Sequence, residues 1–187
     1  MTSQPSLRSR RVLHGWMLML WMLPGLLGAQ TLAGGAEEVK AAYLYKFVDY
    51  VEWPEAAFVG AGAPIVIGIV GADPVYAELV RVVAGRSSHG RPLAARRLEP
   101  GDSIDGVHLL HVGDAAILRS TWLQAARGRP ILIVTDGPQG LEAGAALNFV
   151  AVQNHMRFEA SLRAAERAGL KISSRLLALA QRVVGAP

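Results

Sequence analysis

Three short apolar runs set the narrowest limit on what this chain can fold into: residues 64–70 (PIVIGIV), 107–112 (VHLLHV) and 131–135 (ILIVT). Each is too short for a helix, the first is rich in β-branched residues, and none alternates strictly with polar residues, the pattern of a strand buried on both faces. Turn and helix signals stand between them. After the first run, Gly71-Ala72-Asp73-Pro74 supplies a turn, an N-cap Asp and a Pro at the first helical position, which predicts a helix from Pro74 to about Ala84. After the second, Gly113-Asp114 opens a helix running to about Arg127. The third ends at Asp136-Gly137-Pro138. Apolar strands alternating with helices predict a three-layer α/β fold with a mostly parallel central sheet flanked by helices.

The remaining segments fit around that centre. Residues 37–53 place Val39, Tyr43, Phe47, Tyr50 and Val51 on one side at helical spacing, and Pro54 stops the helix. Residues 91–98 predict a more exposed strand. Residues 147–152 and 156–162 flank the polar turn Gln153-Asn154-His155, which predicts a C-terminal antiparallel strand pair appended to the sheet edge. Ser161 is placed to cap a short helix through Ala168, Gly169 to end it, and Ser173 or Ser174 to cap a final helix over 175–184.

Residues 12–27 form an uncharged apolar stretch directly after Arg8, Arg10 and Arg11, with Ala29, Ala33 and Ala36 beyond it. A basic start, an apolar middle and small residues at the end make a secretory signal peptide over 1–36, cleaved between 29 and 36, with the mature domain spanning 37–187. The rival is an uncleaved inner-membrane anchor over 12–27, but that stretch contains His14, Gly15, Pro24 and Gly25 and falls short of the ~20 apolar residues of a spanning helix. The leader holds three of the 19 basic residues and no acid, so the mature part carries 16 basic and 15 acidic residues. With so little net charge there is no basic stripe to follow a phosphate backbone, and nucleic acid is not an expected partner. Cysteine is absent. That excludes disulfides, thiolate zinc sites, cysteine nucleophiles and a lipoprotein anchor.

Three stretches resemble the YfiR family of periplasmic proteins. Residues 40–54 (KAAYLYKFVDYVEWP) are similar to its opening helix; 147–150 (LNFV) with 157–159 (RFE) are similar to its paired strands; 168–174 (AGLKISS) with Leu176, Leu177 and Ala180 resemble its closing segment. The resemblance implies a periplasmic, often dimeric α/β domain that binds and restrains the periplasmic sensor part of an inner-membrane diguanylate cyclase, in cyclic-di-GMP signalling. An OmpA-like outer-membrane lipoprotein is the implied second partner, one that sequesters the repressor. Partner contact is expected around Phe158, Glu159 and Ile172. Where family members often have cysteine just before the histidine matching His108, this chain has Val107. Ser161 stands where the family commonly has Asn.

Catalysis is not expected. No Gly-x-Ser-x-Gly elbow occurs, and Ser87, Ser88 and His89 are neighbours in sequence rather than partners brought together by folding. His108 and His111, three apart on a strand, point to opposite faces and cannot share a metal, so neither a metal nor a cofactor is expected; one of the two should be a hydrogen-bonded core residue. The alternative to a protein-binding regulator is a small-molecule sensor with its ligand at the strand ends near Gly71, Gly113 and Asp136. The aromatic residues of 43–53 are expected to pack mostly in the core, leaving an exposed remainder as a contact surface.

Overall fold

The structure, a computed structural model, describes residues 31–113 and 121–185. In chain order it contains α1 (Thr31–Asp49), β1 (Val51–Glu52), a 3-10 turn (Glu55–Ala57), β2 (Ile65–Val70), α2 (Asp73–Val83), β3 (Ser87–Ser88) and β4 (Arg91–Arg97). Then come β5 (Leu109–Val112), α3 (Thr121–Ala126), β6 (Leu132–Asp136), β7 (Leu147–Val152), β8 (His155–Ser161), α4 (Leu162–Arg167), β9 (Lys171–Ile172), α5 (Ser174–Leu177) and β10 (Arg182–Val184). The three apolar runs become β2, β5 and β6, adjacent and parallel in an eight-stranded sheet of order β10-β8-β7-β6-β5-β2-β4-β3. The mixed α/β architecture with a mostly parallel centre is the expected one.

Strand parity divides the core. Ile65, Ile67 and Ile69 of β2, Leu109 of β5 and Leu132 and Val134 of β6 join α1 and α2 in one cluster. Their neighbours Val70, Leu110, Val112 and Ile133 pack in a second cluster with Trp122, Leu123 and Ala126 of α3. A strand flanked on both faces has no polar side to show, which is why these runs do not alternate.

Several local expectations need correction. The opening helix ends at Asp49, not Trp53, because Val51 and Glu52 turn into a two-residue ribbon with β9, pairing Val51 with Ile172 and Glu52 with Lys171. Its buried stripe is Ala41, Leu44, Phe47 and Val48, while Val39 is 40% exposed. Asp73 is the first helical residue of α2 rather than its cap, and its carboxylate meets Arg97 of β4 at 2.9 Å. The hairpin turn is two residues, Gln153 and Asn154, both at positive φ (49° and 61°), so His155 already belongs to β8. Two left-handed residues match the twist of a two-residue hairpin. The pair is not the sheet edge: the expected final helix stops at Leu177, and Arg182–Val184 instead form β10, parallel to β8 at Glu159–Ser161. Ser161 does cap α4, accepting from Ala164 N at 3.3 Å, and Ser173 caps α5. The stretch 12–27 and Asp114 lie outside the described residues, among which no helix is long and apolar enough to cross a membrane.

Candidate functional site

The chain runs from β2 outward to β4 and then returns to β5 on the other side of β2, so the carboxyl ends of β2 and β5 form the switch point where α/β sheets commonly hold ligands. Gly71 and Gly113 sit there. Gly113 N donates to Val70 O at 3.0 Å, and a Cβ on Gly113 would collide with the Ala72 side chain, so the two turns lie directly against each other. The Ala72 side chain occupies the space beside Gly113, while Gly71 is exposed. The third residue expected at a strand-end pocket, Asp136, is engaged elsewhere: Lys40 Nζ of α1 donates to its Oδ2 at 2.8 Å, with both side chains less than one-fifth exposed. A cavity of roughly 340 Å³ elsewhere in the fold is lined by none of the three.

Around Asp136 lies a buried polar cluster that periodicity does not reveal. His111, on the same face of the neighbouring strand, is fully buried, and neither of its ring nitrogens has a hydrogen-bond partner among the described residues. Burial lowers its pKa to about 4, overcoming the opposing pull of Asp136, so the ring is neutral. On the opposite face, Thr135 Oγ1 donates to Asn148 Oδ1 at 2.9 Å and Asn148 Nδ2 donates to Gly137 O at 2.8 Å, both side chains being completely buried. Any side chain at Gly140 would overlap this pair. Asn148 therefore does for the 137–140 turn what a backbone ladder does elsewhere, and this explains the polar residue inside LNFV.

Both histidines are in the interior, where one was expected, and only His108 is hydrogen-bonded. Its Nδ1 accepts from Val66 N at 3.1 Å and its Nε2 lies 3.2 Å from Ala57 O, which defines a neutral ring protonated at Nε2. Burial pushes its pKa down. Phe58 stacks on the ring with centroids 4.6 Å apart, and Arg91 covers the other side of Phe58 at 3.8 Å. Trp53 Nε1 donates to His108 O at 3.1 Å. The Trp-Pro end of the opening segment thus ties the 53–63 loop to the amino ends of β4 and β5.

The aromatic residues of the opening segment pack mostly inward: Phe47 is fully buried, and Tyr43, Tyr45, Tyr50 and Trp53 are partly buried against the core. Phe47 stacks on Phe149 and meets Phe158 edge-on at 5.1 Å; Tyr43 touches both; Tyr45 lies beneath Lys46 and Arg86. Ser88 Oγ donates to Asp49 at 2.7 Å and His89 Nε2 lies 3.0 Å from Val48 O, so these neighbours anchor the end of α1 and assemble no proton relay.

Of the three residues expected at a partner contact, Phe158 is 1% exposed and belongs to the core. Its position on β8 faces α1, as the alternation of that strand dictates. Glu159 points to the other face, where Arg182 of β10 donates to it at 2.8 Å and holds its carboxyl below the ordinary value. Ile172 is half-buried in the β1–β9 ribbon. The apolar side chains exposed in the closing segment are different ones: Leu179, 65% exposed, which precedes β10, and Val183, 37% exposed, within it. Hydrophobic periodicity had assigned both to a helix.

No curated protein matches the chain at a significant level. The YfiR/HmsC-like family model matches residues 37–181, which takes in α1 from residue 37 onward, the whole run of strands from β1 to β9, and α5. With the opening helix, the Asn148 hairpin and the closing segment all inside that match, the chain belongs to the YfiR/HmsC-like family.

Proposed function

We propose that this protein is a periplasmic regulator of cyclic-di-GMP signalling that restrains the sensor part of an inner-membrane diguanylate cyclase through its C-terminal surface, without catalysis of its own. Family membership carries the reading. The local geometry supports it: Leu179 and Val183 are apolar and exposed, Val183 lies in β10, which among the described residues pairs on one side only, and Lys171 and Arg175 of the same closing segment are exposed. An apolar centre with a charged rim is the composition of a protein contact. An OmpA-like outer-membrane lipoprotein taking the same surface would relieve the repression, and Glu159 and Ile172 would lie at its margin.

The test is to purify the chain from envelope extracts with its bound partners, in parent and Leu179→Asp forms. The parent should bring down a membrane diguanylate cyclase. The variant should lose it, raise cellular cyclic-di-GMP and keep its melting temperature, because exposed substitutions usually change stability by no more than about 0.5 kcal/mol. Recovery of no membrane sensor with the parent, or full repression by the variant, would sink the proposal.

A further inference from the structure

We propose that the cavity between the carboxyl ends of α3 and α4 is a binding site for a short aliphatic carboxylate. The cavity has a volume of about 340 Å³, within the range of small-molecule sites, and at about 30 Å³ per water-sized group it holds roughly ten such groups. Its lining names its ligand by what it contains. Ile131, Ile133 and Ala164 supply an aliphatic wall, Arg127 and Arg167 stand at the rim with Glu142, and the remaining lining residues are alanine and glycine.

Among the described residues no aromatic side chain lines it to stack a ring, and no hydroxyl or amide side chain lines it to read a sugar or a nucleobase. What remains is hydrocarbon with two guanidinium groups against the one carboxylate of Glu142, a lining of net positive charge. Neither Arg127 nor Arg167 is ion-paired among the described residues, although Arg96, Arg97, Arg129 and Arg182 all have partners. The surrounding charge points the same way. Residues 153–187 hold six basic and two acidic residues, whereas 37–152 hold ten basic and thirteen acidic ones. Arg163, one turn before Arg167 on α4, is exposed and adds to the positive field on that side. A guanidinium pair takes a carboxylate in bidentate fashion, and the chain behind it fills the apolar floor.

This inference stands apart from the repressor reading, and neither fails with the other. Calorimetric titration of the purified full chain with octanoate, octanol and octylammonium tests it. Octanoate should bind saturably at a single site, octanol roughly tenfold more weakly for want of the charge-assisted hydrogen bonds, and octylammonium not at all. Arg127→Ala and Arg167→Ala should each weaken octanoate by roughly fivefold or more. Ala143→Leu, which narrows the cavity without altering charge, should weaken all saturable binding and serves if an arginine variant misfolds. Absence of saturable octanoate binding, equal affinity for octanol, or unchanged affinity in Ala143→Leu would each overturn the site.

Discussion

Along α1, Ala41, Leu44, Phe47 and Val48 are completely buried, and the flanking rings of Tyr43, Tyr45 and Tyr50 lie against the core as well. Along residues 171–184 only Leu176 is buried, while Leu179, Val183 and three basic side chains face outward. Both segments carry motifs of the same family, yet one uses its large residues for cohesion and the other leaves them accessible. A motif rich in aromatic residues is thus no guide to an interface; the distinction comes from how many neighbouring elements converge on it. Strands β7 and β8 both close over Phe47, whereas β10 has a neighbour on one side only among the described residues.

The strongest way to break this contrast is at the sealed end. Phe47→Ala removes a ring packed against Tyr43, Phe149 and Phe158 and should destabilise the fold by about 3–5 kcal/mol in urea unfolding. A loss near that of a surface change would show that α1 is not the keystone described.

A second test uses acid. The folded pKa of His111, about 4, lies below its ordinary 6.5, so the unfolded chain binds the proton more readily between those values. Stability from this group is complete above pH ~6.5, falls as pH drops toward 4 and then levels, for a total on the order of 3 kcal/mol. His111→Leu should flatten that part of the pH–stability curve. An unchanged slope in the variant would assign the acid sensitivity to other groups.

The smallest effect is expected at the open end. Ile172→Asp puts a carboxylate on a half-buried ribbon position and should cost about 1–2 kcal/mol, between the values for core and surface sites. A loss as large as that for Phe47→Ala would erase the difference between the two segments.

The parallel centre of the sheet was legible because a strand covered on both faces has no freedom to hide its apolar composition: β2, β5 and β6 fall where the three runs lie. The closing segment was not. Residues 175–184 have helical spacing and good helix formers, but Gln181 N reaches Phe158 O and the next three residues pair with β8, a tertiary hydrogen-bonding gain that outweighs local propensity. The site residues divide in the same manner. Phe158 was expected at an interface from its motif alone, whereas the strand's alternation turns it inward. Lys40 and Asp136, far apart in the chain, show nothing of their ion pair until α1 is laid across β6. The close contact at the switch point was equally hidden, since it depends on Ala72 meeting a backbone that approaches only where Gly113 has no side chain.

The two-residue ribbon between β1 and β9 sets an order of events during folding. Val51 finds its partner in Ile172, and Phe47 finds Phe149 and Phe158, each across a hundred residues or more. Contacts of such sequence separation form late, because the entropy of closing the loop must be met before they contribute. A chain emerging amino end first therefore presents the aromatic stripe of α1 to solvent until nearly its last residues are free. During that interval the stripe is the surface a holding chaperone would recognise. Truncation before β7 would leave the rings of Tyr43 and Phe47 without Phe149 and Phe158, and truncation before β9 would leave Val51 without Ile172.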